Sequence, residues 1–525
     1  MAHVNLDAMI KREDFAREIK DEPTPDTIRE LNLSMLLPDA PIRRLLRKPD
    51  FQRETNHWTP DQVLYFIRSF LDGAVIPGVI LWRSTNFVFV IDGAHRLSAL
   101  CAWISDDYGD RSVSKSFYND EISKEQNRVA NRVRTLIDKT VGSFKSLEGL
   151  VGKAASDIAG RRAGSMFTRP IFLQTVVGDA KVAEESFFAI NSQGTPLDDT
   201  ETYLIKNRNK PVAIGARAIV RAGSGHAYWS AFSQKNQATV VSIATELFKL
   251  LFVPEATVPL KTLDLPLGGS SSPIDALAVL LDYLIVANTK SGDAKELTVE
   301  DILDSTPLFQ VDDSGEATIK ALQEALKITK RITGNTGESL GLHPAVYFTN
   351  DKGKHSRFLF LGVAAAVADR IRNNDDGWFK KFTLGRHAIE TFLIDHKSVI
   401  GIVLQNLSKT QRIPKMKALI DYLVSEASHE RALNPEAAFK HIGIGGKIYD
   451  LSVTKLGVAF SAETKSQIFY RQAIQHALKC PICSGLLDPS KSASYDHIKP
   501  VREKGLGSAE NGQMVHPYCN TGIKN

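Results

Sequence analysis

Three of the four cysteines and one histidine lie near the end of the chain with the spacing of metal ligands. They form two pairs, Cys480 with Cys483 and His516 with Cys519, and two residues separate the members of each pair. Zinc in a structural site takes four sulfur or nitrogen ligands in a closed tetrahedron. The matched spacing therefore predicts a structural zinc, and the alternative is three buried thiols that bind no metal.

A second set of polar residues lies among these pairs, and a structural zinc does not require it. Asp496 has a hard carboxylate for a divalent ion such as Mg²⁺, and Asn520 can add an amide oxygen. His497 follows Asp496 on a strand-like segment, so it points to the opposite face and could take a proton from water. Asn511 could hold the connecting loop by hydrogen bonds. This set predicts metal-assisted hydrolysis, and the alternative is a zinc knuckle that binds nucleic acid without catalysis.

Over residues 480–524, the order of these motifs resembles the HNH nucleases, whose ββα-metal site has Asp-His, then Asn, then a His or Asn on the last helix. The resemblance implies that His497 is the general base and Asn511 the structural asparagine. It also implies that Asp496 and Asn520 hold the catalytic Mg²⁺ or Mn²⁺ and that the substrate is DNA. Asn520 stands where the family name has its last histidine.

A second candidate site lies where a strand-like segment runs through Asp92 and Gly93 into a helical pattern. Backbone N–H groups at the start of a helix attract anions, and Arg96 could pair with phosphate oxygens. The simpler interpretation is a tight turn in which Asp92 caps the helix and Arg96 is a surface residue.

Three segments of the first 210 residues resemble a known family when they are taken together. They are Phe51-Gln52-Arg53 with Trp58, then Ile91-Asp92-Gly93-Ala94-His95-Arg96-Leu97, and then the segment from Phe187 to Leu197 with Glu201. In this order they resemble the N-terminal domain of GmrSD-type restriction endonucleases, which carries a DGQQR motif on a ParB/sulfiredoxin-like fold. Ala94 and His95 stand where that motif has two glutamines.

This second resemblance implies that the N-terminal domain binds or hydrolyses a nucleotide such as an NTP, or senses modified DNA. The residues that it implies for nucleotide binding are Gln52, Arg53, Asp92, Gly93, His95 and Arg96.

The sequence also indicates the elements that must position these residues. Thr59 to Gln62 predicts a capped helix start, and segments 79–82 and 87–91 predict two short strands. Between residues 211 and 461 the apolar periodicity is mainly helical. We therefore predict an α+β, multidomain chain. Its domains are a ParB-like, DGQQR-type nucleotide- or DNA-sensing domain (1–210), a helical coupling domain (211–461) and an HNH endonuclease domain with structural zinc (462–525).

Composition restricts the class of protein. The chain has 525 residues, and 65 basic against 60 acidic residues give a formal charge of +5, which excludes a histone-like polycation but not a local DNA-binding patch. Three basic clusters, at 43–53, 206–221 and 409–417, could contact phosphates or form solvated faces. Four cysteines make no disulfide framework, and the N-terminus lacks the apolar core of a signal peptide. No apolar stretch is long enough to span a bilayer, so we expect a cytoplasmic protein with no membrane partner.

Together these features predict a DNA endonuclease of a modification-dependent restriction type, which acts in anti-phage defence on modified phage DNA. The N-terminal domain would bind a nucleotide or sense the modification, with NTP hydrolysis as a further activity. A single HNH site cuts one strand, so the protein should nick DNA unless two copies cooperate as a homodimer. One alternative is a non-catalytic zinc-knuckle DNA-binding nucleotide switch. Another is an HNH nuclease of DNA repair or mobile-element processing.

Overall fold

A computed structural model describes residues 3–15, 28–52, 54–153, 157–193, 198–289, 307–427, 433–443 and 459–524 of the chain. The chain divides into two units. Unit 1 comprises Met1–Arg208 with Ser224–Tyr228, and unit 2 comprises Asn209–Gly223 with Trp229–Asn525. The helical middle region and the C-terminal cysteine cluster thus lie in the same unit, and the division into three domains stays a prediction.

Unit 1 is built on a mixed six-stranded sheet with strand order β1-β3-β5-β4-β6-β2. The strands are β1 (Arg12–Glu13), β2 (Glu30–Leu31), β3 (Leu46–Pro49), β4 (Val79–Arg83), β5 (Val88–Asp92) and β6 (Ile171–Thr175). The central pair β4 and β5 is antiparallel, whereas β3 runs parallel to β5 and β6 runs parallel to β4. The two strands predicted around residues 84–86 are therefore confirmed.

Strand β5 explains why this sheet is covered on both faces. Val88 and Val90 belong to the larger core of the unit, whereas Phe89 and Ile91 belong to a second core. Successive side chains of a strand point to opposite faces, so an uninterrupted apolar strand needs a hydrophobic cover on each side. Asp92 is the last residue of this strand, belongs to neither core and is partly exposed.

Helices supply the two covers of unit 1. Helix α2 begins with the predicted capping box between Thr59 and Gln62 and ends at Gly73, whose φ of +93° favours glycine. The helices are α1 (Pro41–Leu45), α2 (Pro60–Asp72), α3 (Ala94–Ser105), α4 (Ser112–Phe117), α5 (Lys124–Thr140), α6 (Phe144–Glu148), α7 (Ile158–Ser165), α8 (Ala180–Gln193) and α9 (Asp199–Lys206).

Unit 2 is mainly helical, as the periodicity predicts. Its helices are α10 (Pro211–Val220), α11 (Gln234–Phe252), α12 (Pro273–Asn288), α13 (Glu316–Ile332), α14 (Pro344–Tyr347), α15 (Arg357–Arg372), α16 (Asp376–Leu384), α17 (Arg386–Asp395), α18 (Lys397–Asn406), α19 (Lys409–Ala427), α20 (Pro435–His441) and α21 (Ala462–Gln475). Helix α15 is buried along ten consecutive residues and contacts α12, α13 and α19. A helix that is apolar on all sides belongs in the middle of a bundle.

The cysteine-rich segment completes unit 2 with two short strands. Strands β7 (Ser494–His497) and β8 (Gly512–Val515) pair antiparallel, and a π-helical turn, Cys519–Ile523, follows them. The predicted α+β, multidomain architecture is confirmed. None of the helices in the described part of the chain combines the length and the apolar character that a bilayer crossing requires.

Candidate functional site

The four predicted zinc ligands come together in unit 2. The Sγ atoms of Cys480, Cys483 and Cys519 and a ring nitrogen of His516 all lie within 4.8 Å of one another, and all four residues are buried. The two pairs arrive from different elements, one from the turn after α21 and the other from the end of β8. Four convergent sulfur and nitrogen donors fit the tetrahedral ligand set of a structural zinc.

His516 presents one ring nitrogen to this cluster and the other to the protein. Its Nδ1 lies 3.3 Å from Cys483 Sγ and 3.9 Å from Cys519 Sγ, whereas its Nε2 donates to the Leu486 carbonyl at 2.9 Å. Burial, reinforced by the charge of Arg386, lowers the pKa of His516 and so favours the neutral ring that a metal requires. The ring is therefore held in the tautomer that leaves Nδ1 free to bind a metal.

The predicted metal ligand Asp496 lies on β7 beside the cluster. Its Oδ2 accepts hydrogen bonds from Lys524 Nζ at 2.6 Å and from Gln513 Nε2 at 2.8 Å. Burial opposes ionisation, but these hydrogen bonds lower the pKa of Asp496 below its usual value. The carboxylate is therefore ionised at neutral pH, and its Oδ2 carries the Lys524 ammonium.

Asn520 reaches the same face of β7 from the terminal turn. Its Nδ2 donates to Ser494 Oγ at 2.9 Å, and Ser494 precedes Asp496 by two residues, so both side chains project from one face of the strand. A carboxylate and an amide oxygen fit the hard donor set that Mg²⁺ takes, with waters completing its coordination.

His497 projects from the opposite face of β7 and is half-buried. Its cross-strand partner is Gly512, which has no side chain to cover the imidazole. The backbone carbonyl of His497 accepts a hydrogen bond from Lys524 Nζ. The backbone of His497 is therefore tied to the terminal turn, and a glycine lies opposite it across the hairpin.

Asn511 holds the loop that leaves His497. Its Oδ1 accepts from Lys499 N–H at 2.8 Å, and its Nδ2 donates to the carbonyls of Lys499 (3.1 Å) and Leu506 (2.7 Å). The Asn511 carbonyl also accepts from Ile498 N–H at 2.8 Å. One side chain thus closes the loop between β7 and β8.

In unit 1 the three segments of the N-terminal resemblance meet in space. Gln52 Nε2 donates to the Ile91 carbonyl at 3.2 Å, and the Trp58 and His95 rings stack at 5.5 Å between centroids. The first and third segments meet where the Phe51 and Phe187 rings lie 5.1 Å apart. The sheet and its second core therefore assemble one site from residues that are widely separated in the sequence.

The turn after β5 has the conformation that glycine permits. Gly93 has a φ of +96°, and a Cβ atom there would lie 2.7 Å from a methyl group of Val79. Arg96 donates to Asp92 Oδ2 at 2.6 Å and to the Gly78 carbonyl at 2.8 Å. One guanidinium nitrogen of Arg96, Nη2, thus makes both hydrogen bonds and holds the side chain against the turn.

Two parts of the predicted N-terminal site lie outside the described residues, namely Arg53 and residues 194–197. Within the described part, Gln52 is buried and its Oε1 has no hydrogen-bond partner. A buried amide oxygen of this kind is available to a bound ligand.

Sequence reasoning missed His57 in this site. His57 Nε2 lies 3.0 Å from Glu201 Oε1, and its ring lies 6.1 Å from that of His95. A histidine directly before the motif tryptophan was the available signal, but its carboxylate partner follows far along the chain. Only the fold brings the two together.

The basic clusters are partly used within the protein. Arg43 donates to the Leu36 carbonyl and to Ser105, Arg208 pairs with two carboxylates of unit 1, and Lys417 bridges two carboxylates of unit 2. One cation from each cluster therefore has a structural partner, as expected for folded surfaces with local charge pairing.

Comparisons with known proteins agree with both sets of motifs. Residues 37–209 match the family model described as "GmrSD restriction endonuclease, N-terminal domain", and residues 480–525 match the model described as "HNH endonuclease". No curated protein and no solved structure matches the chain. The resemblance predicted from the sequence, a GmrSD-type N-terminal domain joined to a C-terminal HNH nuclease domain, is confirmed.

Proposed function

We propose that this chain is a modification-dependent DNA endonuclease of the restriction type that acts in defence against phage. The observation that carries the proposal is the geometry of the hairpin β7–β8. It places a carboxylate, a half-buried imidazole and a loop-closing asparagine beside a buried three-cysteine, one-histidine cluster. The HNH match over these residues supports nuclease chemistry.

In the proposed reaction His497 takes a proton from water, and the resulting hydroxide attacks a phosphorus of the DNA backbone. One P–O ester bond to a sugar breaks, and the departing sugar oxygen takes up a proton from water. Asn511 keeps the loop after His497 closed, so that the imidazole stays in place. Asp496 and Asn520 would hold a divalent cation, which would supply charge neutralisation at the phosphate. The cation would bind the second carboxylate oxygen of Asp496 or displace the Lys524 ammonium from Oδ2.

The zinc would be structural. All four of its ligands come from the protein, which leaves no position for a substrate or a reactive water. Its role would be to hold the end of β8 and the terminal turn, which carry Asn520 and Lys524, against the knuckle. A reducing compartment such as the cytoplasm would keep the thiols available to the metal.

The unit 1 site would bind the regulating nucleotide or the modified base. Gln52, Arg53, Asp92, Gly93, His95 and Arg96 are the proposed contacts. The Trp58 and His95 pair adds an aromatic surface suited to a base, and the contact of His57 with the Glu201 carboxylate adds a polar edge. Hydrolysis of an NTP is a further activity proposed for this site.

Incubation with supercoiled plasmid and Mg²⁺ tests the nuclease assignment. We expect nicking by the wild type and a loss of about 100-fold or more in His497→Ala. His476→Ala is the matched control, because His476 is exposed and lies outside the hairpin. If His497→Ala nicks the plasmid as fast as the wild type, the assignment of the general base is wrong.

A second candidate function is a non-catalytic zinc-knuckle protein that binds DNA. The ammonium of Lys524 on Asp496 favours it, because this contact already neutralises the carboxylate without a metal. Asp496→Ala separates the two functions: loss of cleavage at unchanged zinc content supports the nuclease, whereas DNA binding without cleavage in the wild type supports the knuckle.

Cleavage of phage DNAs that carry different modifications, with and without each NTP, tests the regulatory part. A preference for modified DNA supports restriction. Equal cleavage of modified and unmodified DNA instead favours a nuclease of repair or mobile-element processing.

A further inference from the structure

Helix α17 carries a buried ion pair directly behind the zinc knuckle. Arg386 Nε donates to Glu390 Oε1 at 2.6 Å, and the two side chains are 1% and 2% exposed. Tyr347 OH donates to the same carboxylate oxygen at 3.0 Å. Buried ion pairs are costly unless further hydrogen bonds satisfy their remaining atoms, so the partners of this pair matter.

The second oxygen of Glu390 is used by the knuckle. Glu390 Oε2 accepts the Leu486 N–H at 2.7 Å, and the Leu486 carbonyl accepts from His516 Nε2 at 2.9 Å. The Leu486 backbone therefore forms two hydrogen bonds: its N–H donates to a carboxylate of the helical region, and its carbonyl accepts from the imidazole of a proposed zinc ligand. A hydrogen bond to an ionised acceptor is stronger than one between neutral groups.

Arg386 holds the backbone segment that packs against the His516 imidazole. Its terminal nitrogens donate to the carbonyls of Leu340 at 2.6 Å and Gly341 at 2.8 Å. Gly341 lies so close to His516 that a Cβ atom there would be 2.8 Å from the imidazole Cδ2. Gly485 lies even closer to Arg386, since a Cβ atom at Gly485 would be 2.4 Å from the Arg386 Nε.

We infer that Glu390, with Arg386, is a positioning residue of the zinc cluster, acting through Leu486 on His516. Ligating histidines generally donate their second N–H to a fixed acceptor, and the loss of that support weakens metal binding. Here the acceptor is a backbone carbonyl, and its position depends on a carboxylate 96 residues earlier in the chain. The helical region thus supplies the outer support of the metal site, and the HNH segment depends on it.

The inference rests on the proposed structural zinc, and zinc retention tests it without measuring cleavage. The full chain is loaded with zinc and mixed with a chromogenic chelator, and the release rate is followed. We expect Glu390→Gln to release zinc about 10- to 100-fold faster than the wild type. Asp282→Asn is the matched control, because Asp282 also pairs with an arginine of unit 2, Arg357, away from the knuckle. Its release rate should equal that of the wild type.

If Glu390→Gln does not fold, two less disruptive variants test the positioning role of Glu390. Tyr347→Phe removes one hydrogen bond from Glu390, whereas Tyr283→Phe removes a buried hydroxyl that bonds to Ala325 and Thr329. We expect faster zinc release, and an altered visible spectrum after cobalt substitution, in Tyr347→Phe alone.

Zinc release and cobalt spectra of Tyr347→Phe that match those of the wild type would overturn the inference. A wild-type chain that retains no zinc would overturn it together with the structural-zinc proposal. If the wild type retains zinc but does not cleave DNA, only the proposed nuclease function is contradicted. The positioning role of Glu390 is then unaffected.

Discussion

The two candidate sites are held in place by the same device in different surroundings. In unit 1, Asp7 accepts hydrogen bonds from Lys48 Nζ at 2.5 Å and Arg12 at 3.0 Å, and Arg12 also donates to the carbonyl of Gln52. In unit 2, Glu390 and Arg386 hold the zinc knuckle. Each site thus has a buried ion cluster behind the loop that carries its functional residues.

The two ion clusters differ in how many cations one carboxylate holds. In the unit 1 cluster two buried cations share the Asp7 carboxylate, and burial lowers the pKa of Lys48 to about 8, against the opposing effect of Asp7. In the unit 2 cluster one cation, Arg386, pairs with one carboxylate, Glu390, next to the proposed metal ligands. We therefore expect unit 1 to depend mainly on the Asp7 carboxylate and unit 2 to depend mainly on the proposed zinc.

Removal of the metal should produce the largest effect and confine it to unit 2. Cys483→Ala deletes one of the four ligands, and structural zinc supplies about 10 kcal/mol or more of metal-coupled folding free energy. We expect loss of bound zinc and of DNA cleavage, with ligand binding by unit 1 unchanged. Metal analysis and plasmid cleavage measure this, and Cys101→Ala, outside the cluster, should keep its zinc. Zinc bound as tightly by Cys483→Ala as by the wild type would break the comparison.

Loss of the unit 1 carboxylate should come next. Asp7→Ala removes the carboxylate that the buried Lys48 and Arg12 side chains share, which should lower the free energy of unfolding by about 3–5 kcal/mol. Urea unfolding followed by hydrogen exchange of unit 1 peptides measures the change. Asp61→Ala is the control, because its ion pair with Arg132 is 65% exposed on both sides and should contribute nothing measurable. Equal stabilities of the two variants would contradict the proposed dependence on Asp7.

Mild acid should weaken unit 2 through His343. This buried ring accepts the Ala345 N–H on Nδ1 at 3.1 Å, and burial lowers its pKa from 6.5 to about 4. Because the folded pKa lies below the unfolded one, the stabilisation is complete above pH 6.5 and is lost as the pH falls towards 4. The loss should be about 3 kcal/mol for this residue.

The pH dependence of unfolding for His343→Asn isolates that contribution. Asparagine can still cap helix α14 but does not titrate, so the slope between pH 6.5 and 4 should become shallower than in the wild type. Parallel curves for the two proteins would show that His343 does not titrate on unfolding.

The smallest expected effect concerns the turn of the unit 1 site. Gly93→Ala forces a Cβ atom onto Val79 at a positive φ and should cost about 1–3 kcal/mol and weaken ligand binding. Gly164→Ala is the control, because this helical glycine has open space around its Cβ position. Thermal unfolding and nucleotide titration compare them. Unchanged ligand binding in Gly93→Ala would remove this turn from the proposed site.

Local features of the fold and site could be predicted from sequence because they depend on near neighbours. The capping box of Thr59 and Gln62 and the two strands around residues 84–86 follow from residues within one turn or one hairpin. The two ligand pairs of the proposed zinc are also local, since each pair needs only a fixed spacing of two residues. Short-range geometry of this kind is set by the backbone.

Other contacts could not be predicted, because many carboxylates could have partnered each cation or histidine. The chain has 60 acidic residues, and nothing in its pattern pairs Glu201 with His57 or Glu390 with the Leu486 amide. Lys524 illustrates the same point, since nothing in its sequence position indicates that its ammonium contacts Asp496, 28 residues earlier. The sequence by itself determined which residues can do the chemistry. Only the tertiary structure decided which buried charges hold them, because burial selects the one partner that satisfies a charge away from water.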